Sequence, residues 1–201
     1  GFQKIGELWD CGIFYEDRND VDASYVTQSF DAGLPQYHIG EPGPAGGMVF
    51  YDAGSYEGKW RYLEADTEGS SHFAPFGYSR SADVALVTSA DMGRGAENTD
   101  NLVDAMGNVA YLGAVGLRMT NSYAAKVAKE DTTDSFDDWF LPSIAELEHM
   151  DDVDALKPFI QGARLWSSSE SSQTEAWALV DGKRQSVPRN EFLRVLPIRI
   201  F

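Results

Sequence analysis

Trp139-Phe140-Leu141-Pro142-Ser143, Trp166-Ser167-Ser168-Ser169-Glu170, Ala176-Trp177 and Arg194-Val195-Leu196-Pro197-Ile198-Arg199-Ile200-Phe201 punctuate the last third of this chain. Three tryptophans sit among short apolar runs, and the segments between them are polar. The pattern predicts a rigid scaffold that carries an irregular surface, without itself pointing to a reaction. After Gly162 the apolar period is two, with Trp177 and Leu179 on one side of a strand and Ala178 and Val180 on the other. A last strand is expected around Phe192 to Phe201, with Leu196, Ile198 and Ile200 on one face. Trp166 and Trp177 are both expected to be buried and to meet inside one core.

Just upstream of this region, Ser143 and Glu146 form a Ser-x-x-Glu capping box that starts a helix lined by Ile144, Leu147 and Met150. Two further helices are expected. One spans about Thr99 to Met106, with Leu102, Val103 and Met106 as its stripe and Gly107 at its end. The other spans about Tyr123 to Lys129, with Tyr123, Ala124, Val127 and Ala128 on one face. Residues 66–96 are rich in Gly, Ser and Asp and read as a long loop. Before them, the turn-rich Gly40-Glu41-Pro42-Gly43-Pro44-Ala45-Gly46-Gly47 enters a short buried strand, Met48-Val49-Phe50-Tyr51. Trp60-Arg61-Tyr62-Leu63-Glu64 alternates as a second strand. Strands, then helices, then strands, with the N-terminal strands meeting the C-terminal one, predict an α+β fold with a mostly antiparallel twisted sheet, two or three helices and long loops.

The chain has 201 residues, 16 Lys+Arg against 32 Asp+Glu, and a net charge of −16. The imbalance is uneven. Residues 1–159 carry −18, whereas residues 160–201 carry +2. An acidic body argues against nucleic acid as a partner, because phosphate contacts need a basic patch. With one cysteine, Cys11, there is no disulfide framework within the chain. No apolar run approaches the roughly 20 residues of a membrane-spanning helix, and no signal-peptide pattern is legible. Residues 1–36 contain Leu8, Trp9, Ile13, Phe14 and Tyr15, too apolar for a disordered tail. They are read as an extension packed on a main domain of residues 37–201.

Asp137-Asp138-Trp139-Phe140-Leu141-Pro142-Ser143, Trp166-Ser167-Ser168-Ser169-Glu170 and the closing Arg-Val-x-Pro-x-Arg-x-Phe resemble bacterial domains with a C-type-lectin fold, the branch close in shape to formylglycine-generating enzymes. Ile39-Gly40-x-x-Gly43-Pro44-Ala45-Gly46-Gly47-Met48-Val49-Phe50-Tyr51-Asp52 and Trp60-Arg61-Tyr62-Leu63-Glu64-Ala65 fit as well. The resemblance covers roughly Tyr37 to Phe201. Within that fold the chain is most similar to variable proteins of diversity-generating retroelements. The resemblance implies a C-type-lectin-like domain that displays diversified residues between the Trp-Ser-Ser-Ser-Glu motif and the closing Arg-Val-x-Pro-x-Arg, here about residues 164–193. Candidate ligand-binding positions in that window are Arg164, Ser171, Ser172, Gln173, Thr174, Ala178, Arg184, Ser186, Pro188, Arg189 and Phe192. They follow no core period, and Ala178 falls opposite Trp177 and Leu179. The other reading of these positions is an ordinary surface.

Catalysis, metal and cofactors are not expected. Formylglycine generation needs a C-terminal pair of cysteines, and no cysteine follows Cys11. Ser167-Ser168-Ser169 lacks a Gly-x-Ser-x-Gly elbow, and these serines are expected to satisfy backbone groups in a tight loop. The oxygen-rich Asp131–Asp138 segment lacks the Gly and Glu of a calcium-binding helix-loop-helix. Glu41-Pro42-Gly43 departs from the Glu-Pro-Asn of calcium-dependent sugar binders, and Trp-Asn-Asp is absent. The sequence is therefore read as a ligand-binding display protein on the cell surface or outside the cell, as a lipoprotein or secreted protein, with any lipid anchor outside this stretch. Its ligand would be a protein or glycan on another cell or a host surface. A fixed-specificity glycan-binding or adhesin module of the same fold is the alternative.

Overall fold

The computed structural model describes residues 3–5, 8–10, 35–57, 60–67, 72–78, 88–113 and 118–201. The chain divides into two units, residues 1–35 and 36–201. In the first, β1 (Gln3–Ile5) and β2 (Leu8–Asp10) form an antiparallel pair. Most of the expected N-terminal packing, and Cys11, lie outside the described residues, as do 68–71 and 79–87 of the expected long loop.

The second unit is a mixed α+β body. β3 (Met48–Glu57), β4 (Trp60–Ala65) and β12 (Ile198–Ile200) form an antiparallel sheet with β4 at its centre. A larger sheet has the order β10-β9-β8-β11-β5, from β5 (His72–Pro75), β8 (Arg164–Glu170), β9 (Glu175–Val180), β10 (Lys183–Pro188) and β11 (Phe192–Val195). Its pairs are antiparallel except β8 with β11. β6 (Ala110–Tyr111) and β7 (Met119–Thr120) make a small hairpin. The helices are α1 (Gly95–Met106), α2 (Ala124–Lys129), α3 (Ile144–Asp151) and the single turn α4 (Lys157–Ile160).

The central strands of the large sheet, β8 and β9, are covered on both faces, and this corrects one expectation. Trp166, Ala178, Val180, Val187, Leu193 and Val195 pack with α1 and α2 residues Leu102, Met106, Ala124 and Ala128 in one cluster. Leu165 and Leu179 join Ile144, Leu147 and Met150 of α3, with Phe50, Leu63 and Ile198, in a second. Trp166 is 0% exposed and stands across from Ala178. Trp177, one residue earlier on β9, belongs to the margin of the second cluster and is only partly buried. The two tryptophans therefore lie on opposite faces and do not meet. Period two assigned their neighbours to two sides correctly, but it says nothing about whether the second side meets water or another layer.

The predicted last strand is two strands. β11 ends at Val195, and β12, three residues later, belongs to the other sheet. Pro197 has no N–H to give to a ladder, and its carbonyl accepts instead from Asp66 N at 2.9 Å. The chain changes sheets at this point. α3 starts as expected, with Ser143 Oγ accepting from Glu146 N and the Glu146 carboxylate from Ser143 N. α1 begins four residues before the expected Thr99. Its N-cap, Arg94, has no capping side chain. The same Glu146 carboxylate accepts from Gly93 N at 2.9 Å and Gly95 N at 3.4 Å. A carboxylate from a distant helix thus satisfies the orphan donors that local sequence leaves open.

Candidate functional site

The residues that carry the sequence motifs are drawn mainly into two buried polar nodes. At the first, Arg199 is flanked by both acids. Its Nε and Nη2 bond Asp138 at 2.7 and 2.8 Å, its Nη1 bonds Glu64 at 2.7 Å, and its guanidinium covers the Phe136 ring. The 0% exposed Glu64 accepts in turn from Ala45 N, and a side chain at Gly43 would collide with its carboxylate. Glycine at 43 is a packing requirement. One guanidinium joins the Gly-rich entry, the β4 strand, the Asp-Asp-Trp segment and the closing strand. Asp138 is committed to this pair and Asp131 accepts from Thr133. Among the described residues, no group of three or more His, Cys, Asp or Glu is arranged to hold a metal.

The second node is the serine run, which lies within β8 at a register shift between Trp166 and Glu170. Ser167 Oγ donates to Trp177 O at 2.6 Å, Ser168 Oγ accepts from Asn98 Nδ2 at 3.0 Å, and Ser169 Oγ donates to Ser89 O at 2.7 Å while accepting from Ile144 N. Ser168 and Ser169 tie the sheet to α1, to the segment before it and to the start of α3, whereas Ser167 bonds within the sheet, across to β9. The expectation that they satisfy backbone groups describes Ser167 and Ser169, whereas Ser168 bonds a side-chain amide. They are set in a strand instead of a loop.

The candidate ligand-binding residues divide into three sets. Two are scaffold, which corrects their assignment to the surface. Ala178 is 0% exposed, because the face opposite Trp177 is roofed by α1 and α2. Arg189 is 3% exposed. Its Nη2 donates to Glu170 and to Ser172 O, its Nε donates to Glu175 O at 3.4 Å, and its guanidinium stacks over Phe76 and Tyr78. It pins the turn between β8 and β9 from below. Burial pushes its pKa down to about 10, which leaves it charged at neutral pH.

A second set converges. β10 is an end strand of the sheet, and its register sets Arg184, Ser186 and Pro188 across from Leu179, Trp177 and Glu175. Ser186 Oγ lies 2.5 Å from Ser171 Oγ and donates to Glu175 at 2.7 Å. Arg184 bonds Glu148 of α3 through Nε at 2.9 Å, and its guanidinium stands 5.7 Å from the Trp177 ring centre. Ser172, Gln173 and Thr174 form the exposed turn beside these residues. The third set stands apart. Arg164 pairs across from Val180, a residue of the other face, and bonds Glu191 at 2.7 Å. Phe192 pairs with Pro75 on β5.

Sequence reasoning missed that the cationic excess of residues 160–201 is largely neutralised in pairs, by Glu191, Glu148 and Glu170. It also missed β10, and with it the roles of Trp177, Glu148 and Glu175 at the surface. The signal was present in Asp181-Gly182. These residues have φ 50° and 73°, the left-handed values that a two-residue hairpin turn demands. No protein-family model matches the chain, and no curated protein matches it.

Proposed function

We propose that residues 36–201 form a C-type-lectin-like ligand-binding domain, similar to the variable proteins of diversity-generating retroelements and displayed at a cell surface or outside the cell. The protein recognises a protein or glycan on another cell or host surface, and it does so without a catalytic step. The binding surface centres on Ser171, Ser172, Gln173, Thr174, Arg184, Ser186 and Pro188, beside Trp177.

The observation that carries the reading is β10. Its main chain is held by six register pairs to β9, yet all of its side chains but Val187 are exposed. A rigid backbone with solvent-facing side chains accepts substitution without loss of fold, which a diversified site requires. The buried nodes around Arg199 and Arg189 hold the frame independently of those side chains. The fixed-specificity glycan-binding reading has one observation in its favour. A half-buried Trp177 ring lies among the hydroxyls of Ser171 and Ser186 and the carboxylates of Glu148 and Glu175, a mixture suited to sugar faces and edges.

The test is to sequence this gene from many isolates of one population. Substitutions concentrated at Ser171–Thr174, Arg184, Ser186 and Pro188, with Ala178 and Arg189 invariant, are expected. A window no more variable than the rest of the gene would refute diversification and leave the fixed-specificity module.

A further inference from the structure

At the other end of the large sheet, Phe73 on β5 stands across from Arg194 on β11, and Phe192 precedes Arg194 by two residues. The three side chains therefore share one face. Phe73 is 62% exposed and Phe192 is 59% exposed. Between them, the half-buried Arg194 donates from Nη1 to Phe159 O at 2.8 Å, and its buried Nε has no hydrogen-bond partner. No carboxylate pairs with it among the described residues. In contrast, Arg61, Arg94, Arg164, Arg184, Arg189 and Arg199 each hold a carboxylate, and Arg118, the remaining described arginine, is exposed to water.

A half-buried cation with an idle donor is an unfavourable arrangement unless the counter-charge arrives from outside. Exposed aromatics flanking an arginine are the composition of an interface centre. We propose that this face docks an apolar segment of a partner protein that carries one carboxylate, the carboxylate reaching the Arg194 guanidinium and the apolar side chains covering Phe73 and Phe192. The charge of −16 selects among occupants. It repels polyphosphates and anionic membrane surfaces, and it repels a second copy of the same chain. A single carboxylate between apolar groups meets the open Arg194 cation without bringing a large negative field. This surface uses none of the β10 residues, so it stands or falls separately from the display reading.

The experiment titrates the full chain into fluorescein-labelled hexapeptides that hold Leu-Glu-Phe at their centre, with Leu-Gln-Phe peptides as the uncharged match, and reads polarisation. The Glu peptides should bind, with the Gln peptides weaker by at least about tenfold, and Arg194→Met and Phe73→Ala should each lose at least about tenfold. Arg194→Met should melt within about 2 °C of the parent or above it, since it removes an uncompensated charge. Absence of peptide binding, equal binding of Glu and Gln peptides, or binding indifferent to Arg194→Met overturns the proposal. So does a marked fall in the melting temperature of Arg194→Met, which would make the arginine a strut for the Phe159 carbonyl. A dimer in solution that Arg194→Met dissociates would also overturn it, by giving the face to a second copy.

Discussion

Replacing Trp166 by alanine tests the two-faced sheet most directly. The indole is 0% exposed, meets the Phe76 ring edge-on at 5.6 Å and donates from Nε1 to Ala74 O at 2.9 Å. A buried tryptophan removes about 200 Å² from water, which at about 25 cal/mol per Å² is about 5 kcal/mol. That figure is an upper bound, because the unfolded chain already buries part of the area. Loss of the indole donor adds about 1 kcal/mol. A net cost of about 4 kcal/mol for Trp166→Ala falls in the range measured for such changes. Trp177→Ala removes a partly buried ring at the margin of the other cluster and the Arg184 contact. It should cost about 1–2 kcal/mol. At about 2–4 °C per kcal/mol for a body of this size, the melting temperature should fall by about 8–16 °C for the first and about 2–8 °C for the second. Urea titrations followed by circular dichroism check both. The double variant should be additive, since the side chains lie in separate clusters. Equal costs, or strong non-additivity, would place both rings in one core and refute the layering.

Four further outcomes are expected. Ala178→Arg should cost at least about 3 kcal/mol because it drives a charge under α1 and α2, while Ser186→Arg should stay within about 0.5 kcal/mol; parallel denaturant curves check the pair, and similar costs would undo the division between scaffold and surface. Arg189→Ala should destabilise by about 3 kcal/mol, since Glu170 is left without its partner, and proteolysis should then enter the chain between residues 170 and 175. Burial raises the Glu146 carboxyl above the ordinary range, so the folded state holds its proton to higher pH than the unfolded chain does. Its stabilising contribution is full below about pH 4.3 and declines as pH rises through the folded value. The cost of Glu146→Gln should therefore be greatest in acid and shrink toward neutrality in melting curves run from pH 3.5 to 7, and a cost that grows with pH would contradict this. A chelator should lower the melting temperature by less than about 2 °C, since Asp131 and Asp138 already have internal partners; a larger fall would reveal a bound ion.

Local signals made part of this fold legible. The Ser143–Glu146 box starts α3 because its two hydrogen bonds lie within one turn. The periods of two and of three to four marked β4, β9 and the apolar stripes of α1 and α3, because burial is written along each element. The return of the last strand to an N-terminal strand of the main domain, β12 onto β4, followed from their order. Asp181-Gly182 would have revealed β10 as well, had the turn been read.

The tertiary structure alone decided what lies on each side of an element. Ala178 and Ser186 are both small side chains on neighbouring strands, yet one is roofed by helices and the other faces solvent, because they point to opposite faces and a strand's pattern does not record what covers each. α1 begins at Gly95 because Glu146, 51 residues away, supplies the cap. Arg164, Arg184 and Arg189 looked like a cationic surface, but Glu191, Glu148 and Glu170 neutralise them across distances in the chain that no local motif encodes. Arg194 is left with an idle donor for the same reason. Only folding determines which carboxylates come within reach of each guanidinium, because Coulomb and hydrogen-bond energies depend on separation in space.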